Sequence, residues 1–199
     1  MTSLPKRLLH LSVALATAVG GCSIPEGDQS SPSQLHYLWI KVRAGGEADQ
    51  MWELLHPEAR KEFETWLAAE KAVAAEIKSA YPAEDATAAI KAMGGIERGE
   101  LESARALFVK TITPSPTIPG TLGSVGARVR SEVLSDDGSA ASIRTFGGDE
   151  VVFKKGPEDK WFVTLQADEL VRLRNARGRA EENLKRVKAN LQKLGRNKP

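Results

Sequence analysis

The chain has 199 residues, 41% of them hydrophobic and 27% charged, with a formal net charge of +2. That is the composition of a folded soluble protein, and it is too well supplied with apolar residues for a disordered chain. One cysteine, Cys22, rules out an intramolecular disulfide, so the fold must stand on packing.

Lys6 and Arg7 open the chain with positive charge, and Leu8 to Val19 form an apolar run broken by His10, Ser12 and Thr17. Small Gly20 and Gly21 then precede Cys22. This is the pattern of an export signal, with an apolar run too short to span a membrane as a helix. The ending Val19-Gly20-Gly21-Cys22 resembles the lipobox of bacterial lipoproteins. That resemblance implies that residues 1–21 are removed as a signal peptide and that Cys22 becomes a lipidated N-terminus. Its thiol then carries a diacylglyceryl group and its new amine often an acyl chain, enough for stable anchoring. Ordinary secretory cleavage, with Cys22 left as a free thiol, is the alternative. Ser23 follows the cysteine, where enterobacterial lipoproteins retained at the inner membrane carry aspartate. By that resemblance the chain is expected on the periplasmic face of the outer membrane.

Removing 21 of the 199 residues leaves a formally neutral chain of 178. Its charge is divided, with ten Lys/Arg against four Asp/Glu in residues 168–199 and sixteen against twenty-two in residues 22–167. A basic tail suits an acidic protein or an anionic lipid surface. Export makes nucleic acid the least fitting partner.

Residues 22–32, polar and proline-bearing, read as a tether. Ser31-Pro32 is an N-cap followed by proline, and Leu35, Leu38, Trp39 and Val42 keep helical spacing up to Gly45-Gly46. A short helix should carry Met51, Trp52, Leu54 and Leu55. A long one should run from Pro57 to Tyr81-Pro82 with Ala59, Phe63, Trp66, Leu67, Val73 and Ile77 on one face. Two more helices are expected in residues 83–112, either side of Gly94-Gly95, before a loop over 113–123. Alternation then replaces the helical period. Val125, Ala127, Val129, Ser131 and Val133 should point one way, and turns at Asp136-Asp137-Gly138, Gly147-Gly148 and Gly156-Pro157-Glu158-Asp159 should join four strands into a meander. The upstream helices are the cover available for one face of that sheet. The class is α+β: N-terminal helices packed on a four-stranded antiparallel meander, then a long C-terminal helix. On this last helix, residues 167–199, a heptad spacing joins Leu170, Leu173, Arg177, Ala180, Leu184, Val187, Leu191 and Leu194. Two readings stand. The stripe packs on the domain, or the helix stands off at Gly178 and offers Leu184, Val187, Leu191 and Leu194 to a partner.

The stretch from Leu35 to Phe63 resembles the opening of NTF2-like domains in small bacterial lipoproteins. Trp52, Leu54, Leu55, Pro57 and Ala59 occupy the places of their Trp-x-Leu-Leu-x-Pro-x-Ala pattern. Residues 129–165 resemble the family's sheet, with Gly138, Ala140, Ala141, Lys160 and Trp161 in matching places. The resemblance covers residues 33–166, with a helical excursion over 81–123 that is longer than usual. It implies a cystatin-like cone, a curled sheet wrapped on a long helix, whose mouth can hold a ligand. Such folds fix shape better than chemistry.

No catalytic residue, metal site or cofactor site can be assigned from spacing. His56, before Pro57, is expected as a helix N-cap, and His36, off the apolar stripe, as solvated. If the cone is open, Trp39, Trp52, His56, Trp66, Tyr81 and Trp161 are its lining. The leading function is a non-enzymatic binding or interaction module anchored in the bacterial envelope, its ligand not legible. A small enzyme would have to draw on His56, Glu62 or Glu64. A structural assembly factor is the remaining alternative.

Overall fold

The computed structural model describes residues 26–92, 99–111, 123–193 and 195. Cys22 with the segment before it, Met93 to Gly95 and Leu194 lie outside the described residues, as does most of the 113–123 loop. The chain is α+β. Among the described residues five helices come first: α1 (Pro32–Ala44), α2 (Ala48–Leu54), α3 (Pro57–Ala80), α4 (Ala83–Ala92) and α5 (Ala104–Thr111). A four-residue helical turn leads into β1 (Val129–Leu134), β2 (Ala140–Thr145), β3 (Glu150–Lys155) and β4 (Trp161–Val163), and α6 (Ala167–Lys193) closes the fold.

Local chemistry sets the boundaries. The Ser31 hydroxyl accepts from the Gln34 N–H at 3.2 Å and starts α1. The His56 side chain accepts from the Glu58 N–H at 3.3 Å and starts α3, as expected of a residue before Pro57. At the β1–β2 turn the Asp137 carboxylate accepts from the Ser135 hydroxyl and from the Ser139 N–H and hydroxyl. These bonds, the Ser135 hydroxyl foremost, hold its pKa down to about 2. Gly138 beside it takes φ of 66°.

The sheet is antiparallel in the order β1-β2-β3-β4. Its inner face, carrying Ala141, Ile143, Phe153, Trp161 and Val163, packs against the helices. A bulge between Val129 and Ser131 overturns the expected phase of β1. Beyond it Glu132 and Leu134 stand opposite inward-facing Ile143 and Ala141, so Val133 turns outward and is 65% exposed. One extra residue moves every later side chain to the other face.

The two outer edges of the sheet differ. On β4, His56 donates its N–H to the Val163 carbonyl at 2.8 Å, and Gln29 and Trp161 exchange two hydrogen bonds. The expected tether is therefore shorter than 22–32. Glu26 pairs with Lys41 at 3.5 Å, and Gly27 lies so close to α1 that a Cβ there would stand 2.0 Å from the Gln34 carbonyl oxygen. Residues 26–31 belong to the domain. On β1 the bulge and the charged Arg130 and Glu132 blunt the edge.

Aromatic and aliphatic side chains pack between the centre of the inner face and the helices. Trp52, Phe63 and Phe108 meet edge-on or tilted, with centroids 5.3 to 6.0 Å apart, and Leu35, Leu55, Ile143 and Phe153 complete the packing. A second cluster joins the back half of α3 to α4 and α6 through Val73, Ile77, Ala86, Ile90, Val187 and Leu191. Glu62 of α3 pairs with Arg174 at 3.2 Å and Arg177 at 3.7 Å, so α3 and α6 run side by side in the same direction.

This corrects the second reading of α6. Its seam is buried on its own domain, with Val187 2% and Leu191 3% exposed and Leu184 packed beside them. The helix runs unbroken through Gly178, which is no hinge.

Candidate functional site

The residues proposed to line one cone do not share a pocket. Trp52 and Trp161 are buried in the main core, Tyr81 packs on the second cluster, and Trp66 borders an open cleft between α3 and α6. His56 and Glu62 do line one cleft of about 290 Å³, together with Glu58, Lys154 and Arg174. Each is already engaged there. The Nδ1 of His56 accepts the capping N–H, so its Nε2 carries the proton and faces the Lys155 carbonyl at 3.3 Å. Glu62 is held by two arginines, and Glu64 is exposed away from the cleft. No trio of His, Cys, Asp and Glu among the described residues could hold a metal ion.

The polar site lies elsewhere, between α1 and the far ends of β2 and β3. Three polar side chains are buried among the described residues, His36, His56 and Thr145. Two of them, His36 and Thr145, each 2% exposed, line a single pocket of about 100 Å³. Trp39, Arg43, Asp149 and Gln166 complete its polar and aromatic wall. His36 contradicts the expectation that it is solvated. Its Nε2 stands 2.8 Å from the Ala127 carbonyl oxygen, which can only accept, so the proton sits on Nε2. Nδ1 is left buried without a hydrogen-bond partner among the described residues. Burial pushes the imidazole below its usual pKa near 6.5, against the Ala127 bond and the negative charge of Asp149.

Backbone bonds fix the wall. The Thr145 N–H donates to the Asp149 carbonyl at 2.9 Å, and the Asp149 N–H donates to the Thr145 hydroxyl at 3.1 Å. Gly148, at φ of 90°, lets the chain turn between them. Gln166 donates to the Glu150 carbonyl at 2.8 Å, and the Glu169 carboxylate accepts from the Gln166 N–H at 2.9 Å as α6 begins. Arg43 and Asp149 form no ion pair with each other or with another described residue. The pocket thus has a buried polar floor, His36 and Thr145, and one charge of each sign without an ion-pair partner among the described residues.

Compared with family models, with curated proteins and with solved structures, the chain finds no match in any of the three. The site therefore stands on its own geometry. Helical spacing held a signal for it: His36, Ile40 and Arg43 lie at i, i+4 and i+7, a second stripe beside Leu35, Trp39 and Val42.

Proposed function

We propose that this chain is a bacterial lipoprotein, anchored through Cys22 on the periplasmic face of the outer membrane, whose domain of NTF2-like type is a non-enzymatic binding module. The address is supported by the Val19-Gly20-Gly21-Cys22 ending behind Lys6, Arg7 and the apolar run. Binding is carried by one observation, a pocket floored by buried His36 and Thr145 in which the His36 Nδ1 has no hydrogen-bond partner among the described residues. Burying a polar atom without a partner is costly unless something at the site repays it, and among the described residues the other polar side chains apart from His56 are not buried. The enzyme alternative is weakened by the engagement of His56 and Glu62, and the assembly alternative by the burial of the ridge it would use. The basic outer side of α6, with Lys185, Lys188 and Lys193 exposed, is the surface offered to an acidic protein or anionic lipid.

Labelling with a fatty-acid probe tests the anchor. The wild type should incorporate the label, and Cys22→Ala should incorporate none and accumulate as uncleaved precursor. A Cys22→Ala chain that matures normally, beside a wild type that never takes label, sinks the lipoprotein reading.

A further inference from the structure

Resting on the binding-module reading and deepening it, we propose that the His36 pocket takes a small zwitterion, its carboxylate on Arg43 and its ammonium on Asp149 against the face of Trp39.

Size sets the first limit. The pocket offers about 100 Å³, a small space. That suits a small polar molecule better than a nucleotide or a long acyl chain. Charge sets the second. Arg43 and Asp149 line the same pocket, come from α1 and from the turn before β3, and have no ion-pair partner among the described residues. Unpaired opposite charges that share a pocket without meeting match a ligand that carries both signs. A guanidinium grips a carboxylate through paired N–H donors, and an ammonium finds both a carboxylate and an aromatic face. Preorganisation is the third consideration. The turn holding Asp149 is bonded back to Thr145 at two points, and Arg43 lies in the last turn of a capped helix, so the backbone at both charges is fixed and side-chain ordering is the cost that remains. The buried His36 ring fixes the floor through Ala127 and leaves an unpaired acceptor at Nδ1 beside the site.

The test uses the full chain in detergent, with the Trp39 indole N–H and the His36 ring followed by NMR during titration with glycine, acetate and methylammonium. Glycine should shift these signals at concentrations on the order of tenfold or more below either half-ion, since each half-ion loses one charge-assisted contact. Arg43→Gln should weaken glycine and acetate and spare methylammonium. Asp149→Asn should weaken glycine and methylammonium and spare acetate. Both substitutions lie at the rim, and an unchanged melting temperature confirms that they fold. A half-ion that binds as well as glycine, or variants that bind glycine unchanged, overturns the zwitterion and leaves the binding reading intact. A pocket silent to all three probes overturns both.

Discussion

Gln29 and Trp161 are joined twice: the Trp161 N–H donates to the Gln29 carbonyl at 3.0 Å, and the Gln29 side chain donates to the Trp161 carbonyl at 2.9 Å. A residue that reads as linker thus closes the open edge of β4, where unpaired backbone groups would otherwise face water or another chain.

Gly27 makes that closure possible. A methyl group there would stand 2.0 Å from the Gln34 carbonyl oxygen and 2.6 Å from the Leu38 nitrogen, both backbone atoms that cannot yield. Gly27→Ala should therefore lift residues 26–31 off α1 and cost about 1–3 kcal/mol. Urea unfolding measures the cost, and faster hydrogen exchange at the Trp161 N–H reports the detachment. Unchanged exchange at that amide would mean that the segment is not seated as described.

On α6 the expected outcomes oppose each other at two neighbouring sites. Leu191→Ala empties part of the second cluster and should cost about 2–5 kcal/mol. Gly178 sits mid-helix with open space around its missing side chain, so Gly178→Ala should stabilise by up to about 1 kcal/mol. Thermal unfolding checks both. A Leu191→Ala chain that melts like the wild type would show that the helix end does not pack on α3 and α4.

His36 gives the pH dependence. Burial lowers its pKa in the folded state, so the unfolded chain takes up the proton first as the medium is acidified. Stability is fully present above about pH 6.5 and falls below it, with a slope of at most about 1.4 kcal/mol per pH unit until the folded state also protonates. The negative charge of Asp149 and the bond to the Ala127 carbonyl reduce the effect without cancelling it. Stability measured in urea between pH 7.5 and pH 5 should show this fall, and His36→Gln should flatten it. An equal slope in the variant assigns the fall to other groups.

The β3–β4 turn holds Glu158 and Asp159 at φ of 59° and 56°, a left-handed conformation that costs a residue with a Cβ about 1–2 kcal/mol. Asp159→Gly should recover part of this and raise the melting temperature. A lower melting temperature would show that the aspartate side chain contributes more than its backbone strain removes.

Helix limits were legible because their signals are local: Ser31-Pro32, His56-Pro57 and Tyr81-Pro82 each mark a boundary within one residue. The hairpin turns were legible for the same reason. The phase of β1 was not, because a bulge leaves no residue signature in Val129-Arg130-Ser131 and yet redirects Val133. The site was missed for a different reason. Its wall comes from α1, from the ends of two strands and from Gln166, residues far apart in the chain that become neighbours when α1 crosses the sheet. His36 looked like a polar residue on a helix exposed on one side, and α1 is buried on two.

The seating of Glu26 beside Lys41 bears on what an anchored form can do. Between an acylated Cys22 and Glu26 lie four chain steps, at most about 14 Å when fully extended. That is little more than the width of one helix with its side chains. A domain on such a leash cannot search the depth of the periplasm. Under the proposed anchor it would ride on the bilayer like a stud, its range set by lateral drift in the lipid, and whatever it meets would have to come to that plane.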